Sequence, residues 1–152
     1  MRFVECHRPG EALPPLPPPT HGERDGLQPF ASIHSAIHNI PANADDHDIV
    51  SALERYRLLG YRGPYDENGP AKTITCGGGE YNYHPTGKRV FTTREFACLQ
   101  TFPLDFQFSE REARKQIGNA VPPRFAGTIY KQIYNSLRET DRGESLGDMN
   151  RH

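Results

Sequence analysis

The sequence is short of several things, and each shortage excludes something. No apolar run approaches the ~20 residues that cross a bilayer, and the opening MRFVECHRPG has no apolar signal core. Neither a membrane-spanning nor a secreted chain is expected. Cysteine is scarce: Cys6, Cys76 and Cys98 form an odd set without a CxxC pair. That argues against a disulfide framework or a cysteine-rich zinc site and fits a reducing compartment. Apolar residues are only 35% of the 152, too few for a large all-helical core. Against these stand 14 glycines and 14 prolines, so much of the backbone must be turn and loop.

The net charge is −1, but it is unevenly spread. Residues 1–85 hold 7 Lys/Arg against 11 Asp/Glu, whereas residues 86–131 hold 8 against 4. A basic stretch in a neutral chain is either a solvated face or the mark of an anionic partner, because phosphate contacts draw on local charge.

Residues 9–22, PGEALPPLPPPTHG, carry six prolines. With φ fixed and amide donors missing, they run extended or as polyproline II. A stiff connector is the preferred reading over a ligand for a proline-reading domain, whose PxxP pattern is common. In FASIHSAIHNIP (30–41), Ile33, Ala36, Ile37 and Ile40 fall at helical spacing until Pro41. His34 and His38 share a face there, yet no third metal ligand stands at a telling distance; they read as surface histidines or as ones close to an anionic partner. DDHDIVSALERYRLL (45–59) predicts a second helix, with aspartates favouring its dipole and Ile49, Leu53 and Tyr56 on one face. KTITCGGG (72–79) predicts a short strand entering a triple-glycine turn. Those glycines serve either a tight turn or close approach to a ligand; the phosphate-loop patterns GxxxxGK[ST] and GxGxxG do not match.

The last third has the clearest local signals. Thr92 with Glu95 is a capping box that opens a helix through TREFACLQ, with Phe96, Ala97 and Leu99 inward, ended by Pro103. Ser109 with Glu112 repeats the pattern and opens SEREARKQIG, closed by Gly118. Pro122 and Pro123 begin a third helix with a stripe of Phe125, Ile129, Ile133 and Leu137. From about Glu139 onward the chain is polar, and disorder is expected.

Two of these runs, GKRVFTTREFACLQTFP (87–103) and KQIGNAVPPRFAGTI (115–129), closely resemble the last two blocks of DNA (cytosine-5) methyltransferases. The family patterns are R-x-F-T-x-R-E-x-A-x-L-Q-x-F-P and Q-I-G-N-A-V-P-P, in this order. The proline segment resembles the stretch leading into that family's target recognition region, PFASIHSAIHNIP its beginning, and TITCGGGEYNYHP its glycine-bearing loop. The resemblance covers about residues 9–135. It implies a partial α/β methyltransferase fold: a proline-rich connector (1–22), an irregular recognition region with short strands (23–86), the closing helical blocks (87–137) and a tail (138–152).

The resemblance also implies roles. Asn119 and Val121 help wall the S-adenosyl-L-methionine pocket, at a turn into a helix start where free amides can meet a carboxylate. Thr73, Thr75, Gly77, Gly78 and Gly79 belong to the loop that approaches double-stranded DNA, with Lys72, Lys88 and Arg89 adding charge. Tyr81, Tyr83 and His84 either stack near a distorted base step or pack the small domain. Arg94, Glu95, Gln116 and Gly118 are structural.

The family's reaction flips a cytosine out, attacks its carbon 6 with a cysteine thiolate, assists at nitrogen 3 with a glutamate and methylates carbon 5. Its F-x-G-x-G loop, Pro-Cys nucleophile, Glu-Asn-Val and Q-x-R-x-R blocks are not in this sequence; Cys6 follows Glu5, Cys76 follows Thr75 and Cys98 follows Ala97. The expectation is a C-terminal portion that works with a catalytic half, as a split subunit, a fragment or a degenerate copy, and does not transfer methyl alone. The rival is a non-catalytic DNA-binding or regulatory paralogue. Location follows the parent: nuclear in a eukaryote, cytoplasmic otherwise.

Overall fold

Prolines and glycines interrupt most of this chain so often that only short helices fit between them, and the computed structural model has that character up to Pro123, where one long helix begins. It describes residues 14–59, 64–75, 83–109 and 111–149. Among these are five helices: α1 (Ile33–Ile37), α2 (Ile49–Leu59), α3 (Thr93–Leu99), α4 (Ala113–Asn119) and α5 (Pro123–Met149). The described residues divide into two units, one from Thr20 to Arg124 and one made of 14–19 with the chain from Phe125 onward. Residues 14–19 carry neither helix nor strand, as their prolines require.

The sheet of an α/β fold is not found in the described residues. Their only pairings are isolated bridges, His21 with Gln28 and Tyr83 with Val90. The strand expected from residue 72 is absent over 72–75; Pro70 and the 66–69 turn leave no run beside it for pairing. The glycines 77–79 lie outside the described residues.

Within the unit 20–124, the core gathers around α3. Ile33, Phe91, Phe96, Ala97 and Ile117 are buried together, with Ile37, Tyr65, Leu99 and Phe102 packed around them. Phe91 and Phe96 meet edge to face at 5.6 Å, an arrangement that aligns the ring edge with its neighbour's electron-rich face. Helix α1 is too short to stand alone. Ser32 caps it by accepting the Ser35 amide, and the Ile33 and His34 amides donate to the Gly69 and Glu67 carbonyls. A second small cluster holds Ala52, Tyr83 and Val90, with Tyr56 against it.

Several sequence expectations change here. In α2 the buried residue is Ala52, while Ile49 and Leu53 stay more than a third exposed; a small side chain lets the helix approach Tyr83 closely. The Ser109–Glu112 capping box does not form. Glu112 sits in the left-handed region at φ 65 without a side-chain cap, and Ser109 Oγ instead donates to the Arg111 carbonyl. The helix therefore starts at Ala113, and Gly118 lies inside it rather than closing it. Pro123 does begin α5, and of its predicted stripe Ile129 is buried, Ile133 half-buried, and Phe125 and Leu137 largely exposed. The helix continues past Glu139 to Met149, where disorder was expected; its hydrogen-bonded register runs on from the turn before, with Thr140 Oγ1 donating to the Ser136 carbonyl. No helix among the described residues is long and apolar enough to cross a membrane.

Burial sets a stability contrast. Phe91→Ala, which empties a site 1% exposed, is expected to cost about 3–5 kcal/mol. Leu58→Ala, at a site 86% exposed, should stay within about 0.5 kcal/mol. Urea unfolding of the two variants checks both.

Candidate functional site

The capping box that opens α3 is also its electrostatic centre. Thr92 Oγ1 accepts the Glu95 amide at 3.2 Å, and the Glu95 carboxylate accepts the Thr92 amide at 2.8 Å. Glu95 is buried, so its charge needs more than one amide. Arg89 supplies it: both terminal nitrogens donate to the two carboxylate oxygens, each at 2.7 Å, the bidentate geometry that best satisfies a buried carboxylate. Burial alone would raise the Glu95 pKa, but the Arg89 and Thr92 hydrogen bonds outweigh it and hold the carboxyl below its ordinary value.

His84 stands beside this pair. Its Nε2 lies 3.6 Å from Glu95 Oε1, its Nδ1 accepts the Thr86 amide at 3.2 Å, and its ring packs against Phe91 at 5.5 Å. An accepting Nδ1 places the single proton of the neutral ring on Nε2, toward Glu95. Burial, helped by the Arg89 charge, lowers the His84 pKa to about 4 although Glu95 pulls the other way. Tyr83 is buried and meets Tyr56 edge on at 5.7 Å. Tyr83 and His84 thus take the packing role of the two considered; Tyr81 lies outside the described residues. His47 Nδ1 shares a hydrogen bond with Thr92 Oγ1 at 2.9 Å. Glu95, Arg89, His84 and His47 line a cavity of about 650 Å³ together with His34, His38 and Asn68. Among the described residues no three His, Cys, Asp or Glu side chains are grouped to hold a metal ion.

Arg94 and Glu95 adjoin in sequence but serve different partners. Arg94 is fully buried. Its Nε donates to the Asp45 carbonyl at 2.8 Å, one terminal nitrogen to the Phe106 carbonyl at 3.0 Å and the other to Asp46 Oδ2 at 3.3 Å. One side chain thus ties α3 to the segment before α2 and to the segment after α3. Arg114 works similarly from α4, donating to the Phe91 carbonyl at 2.7 Å and covering the Phe96 ring at 5.0 Å; burial brings its pKa down to about 10.

A second feature lies past the end of α3. Gln100 Nε2 donates to the Ile117 carbonyl at 3.2 Å and to the Ala120 carbonyl at 2.9 Å, at the end of α4, where carbonyls run short of intrahelical donors. Asn119, the last residue of α4, and Val121 in the turn that follows are both exposed, Val121 at 47%. Gln116 donates through Nε2 to Ser109 Oγ. Cys98 is half-buried, and burial pushes its thiol pKa up.

Of the residues assigned to DNA, Thr73, Thr75 and Lys88 are exposed, and Lys72 rests over the Tyr65 ring at 5.0 Å. Gly77, Gly78 and Gly79 lie outside the described residues. Arg89 departs from its sequence assignment: its guanidinium is committed to Glu95, so its charge is neutralised inside the fold. Gln100, His47 and Arg114 were not singled out from sequence. Gln100 had one signal, a long carboxamide at the C-cap of a helix whose next residue is not glycine.

Residues 29–135 match the family model described as C-5 cytosine-specific DNA methylase. The chain is 36% identical over 149 residues to the type II methyltransferase M.NgoFVII of Neisseria gonorrhoeae, covering 77% of this chain and 40% of that protein. It is 30% identical over 150 residues to M.BsuRI of Bacillus subtilis, covering 78% and 34%. To M.AquIB of Picosynechococcus sp. it is 41% identical over 85 residues, 47% of this chain and 61% of that protein. This chain therefore spans less than half the length of the first two. No solved structure matches.

The His84–Glu95 pair sets an acid limit. Unfolded, His84 takes up a proton near its ordinary 6.5; folded, it does so only at about 4. The native state then binds fewer protons between these values, so stability is complete above the higher value and falls as pH drops toward the lower. Glu95, with its lowered folded pKa, adds a further loss as pH falls through the carboxylate range. From His84 alone the fold should be about 2 kcal/mol weaker at pH 5 than at pH 7. Urea midpoints at the two pH values check this, and His84→Asn should remove most of the difference.

Proposed function

The chain belongs to the C-5 cytosine-specific DNA methylases, and we propose that it supplies the target-recognition part and the closing blocks of such an enzyme, working with a catalytic half that carries the reactive blocks. The observation that carries this reading is a family match over residues 29–135 in a sequence without a Pro-Cys dipeptide. Cys98 supports it: a half-buried thiol with a raised pKa is not a ready nucleophile. M.AquIB adds support, since 85 matched residues make up 61% of it; that protein is itself a short chain.

In this division of labour, Asn119 and Val121 form part of the wall of the S-adenosyl-L-methionine pocket. The residues fit that group. An exposed carboxamide and an exposed apolar side chain stand two apart on a turn whose carbonyls Gln100 holds, offering one polar and one apolar contact to a ligand that has both kinds of surface. The cofactor supplies the methyl group; this chain's residues shape one side of its site and exclude water there. Thr73, Thr75, Lys72 and Lys88 contact the phosphates of double-stranded DNA, with Gly77, Gly78 and Gly79 assigned to the same DNA-approaching loop. Arg89 joins Arg94, Glu95, Gln116 and Gly118 as structure rather than contact.

Two measurements test the proposal. The purified chain alone should put no labelled methyl into duplex DNA, and should do so when mixed with a polypeptide bearing the missing blocks. Incorporation by the chain alone overturns the division of labour; DNA binding with no incorporation in the mixture favours a non-catalytic paralogue. For the phosphate contacts, Lys88→Ala should flatten the slope of log affinity against log salt by roughly 0.9. Affinity indifferent to salt removes that assignment.

A further inference from the structure

Thr101 holds a backbone conformation that its own side chain disfavours, with φ at 67°. It follows Gln100, the C-cap of α3, at the position helices commonly give to glycine. Its amide donates to the Cys98 carbonyl and the Phe102 amide to the Ala97 carbonyl, both at 2.9 Å, the paired closure of a Schellman turn. A β-branched residue in the left-handed region is strained; glycine in its place would not be. Strain of this kind is informative when the side chain does something glycine cannot.

The hydroxyl does. Thr101 Oγ1 accepts the Arg124 amide at 3.1 Å. Helix α5 starts at Pro123, and Pro122 before it has no side-chain oxygen to act as a cap. Thr101 supplies the cap from outside the helix. The neighbouring Gln100 reaches the same turn from its other end, holding the Ile117 and Ala120 carbonyls with one carboxamide. Two consecutive residues of one helix end therefore grip both flanks of the turn bearing Asn119 and Val121.

We propose that Gln100 and Thr101 are positioning residues that fix the Asn119–Val121 turn, so that the end of α3 and the cofactor-facing turn move as one piece. This rests on the assignment of Asn119 and Val121 to the cofactor wall. Neither Gln100 nor Thr101 touches the cofactor; each acts through backbone groups of the turn.

Two readouts test it. In the 152-residue chain, hydrogen exchange at the Arg124 amide, which loses its acceptor, should rise about fivefold in Thr101→Gly; in Gln100→Ala, exchange at the Ala120 amide, whose own acceptors are the Gln116 and Ile117 carbonyls, should rise about twofold as the turn loosens. Thr101→Gly should not lower the urea midpoint, because it relieves strain, and Thr101→Ser should keep wild-type exchange. In the mixture with the catalytic half, Thr101→Gly and Gln100→Ala should raise KM for S-adenosyl-L-methionine about fivefold and leave KM for DNA within about twofold. Unchanged exchange at Arg124 in Thr101→Gly overturns the positioning role, as does a uniform rise in both KM values. Asn119→Ala is the separate control: if it leaves cofactor KM unchanged, the cofactor-wall assignment fails and the proposal falls with it, whatever the exchange data show.

Discussion

A carboxylate buried at the third position of a short helix must be neutralised where it stands, and much of the unit 20–124 follows from how Glu95 is paired. Leaving such a charge unpartnered costs several kcal/mol, a large share of the stability of any small domain. The Arg89 guanidinium meets it in bidentate fashion, which fixes the segment 83–90 against α3. That placement in turn buries Tyr83 and Val90 against Ala52 and brings His84 onto the Phe91 ring. A polar pair thus decides where two apolar clusters sit.

Arg94 extends the same logic in other directions. Its donors hold the Asp45 and Phe106 carbonyls and the Asp46 carboxylate, so a seven-residue helix acts as a junction for segments far apart in sequence. At its far end, Gln100 and Thr101 take hold of the turn after α4 and the first amide of α5. The helix packs Phe96 and Ala97 into the core, and directed hydrogen bonds, which tolerate less displacement than hydrophobic contact does, add its specificity. If the proposed roles hold, such bonds would keep the segments that α3 joins in fixed register.

What could be read in advance was local. The Thr92–Glu95 capping box depends on residues three apart, and it forms as its pattern requires. The proline start of α5 and the inward faces of Phe96 and Ala97 are of the same kind. What could not be read depends on partners distant in sequence. Arg89 looked available for phosphate until Glu95 claimed it. Ser109 and Glu112 have the spacing of a cap, yet the chain reaches α4 through a left-handed residue and leaves the pattern unused. Ala52 is buried in preference to Ile49 and Leu53 because Tyr83 needs room above α2. The family blocks themselves were the most legible feature, and the match over residues 29–135 agrees with them.

The unit 20–124 depends on the Arg89–Glu95 pair, and a double-mutant cycle measures its energy most directly. Unfolding free energies of the wild type, Arg89→Met, Glu95→Gln and the double variant would give their coupling. A coupling of about 2–3 kcal/mol is the result expected of a buried bidentate pair on which the surrounding segments depend. A coupling within about 0.5 kcal/mol of zero, as exposed pairs typically give, would contradict it.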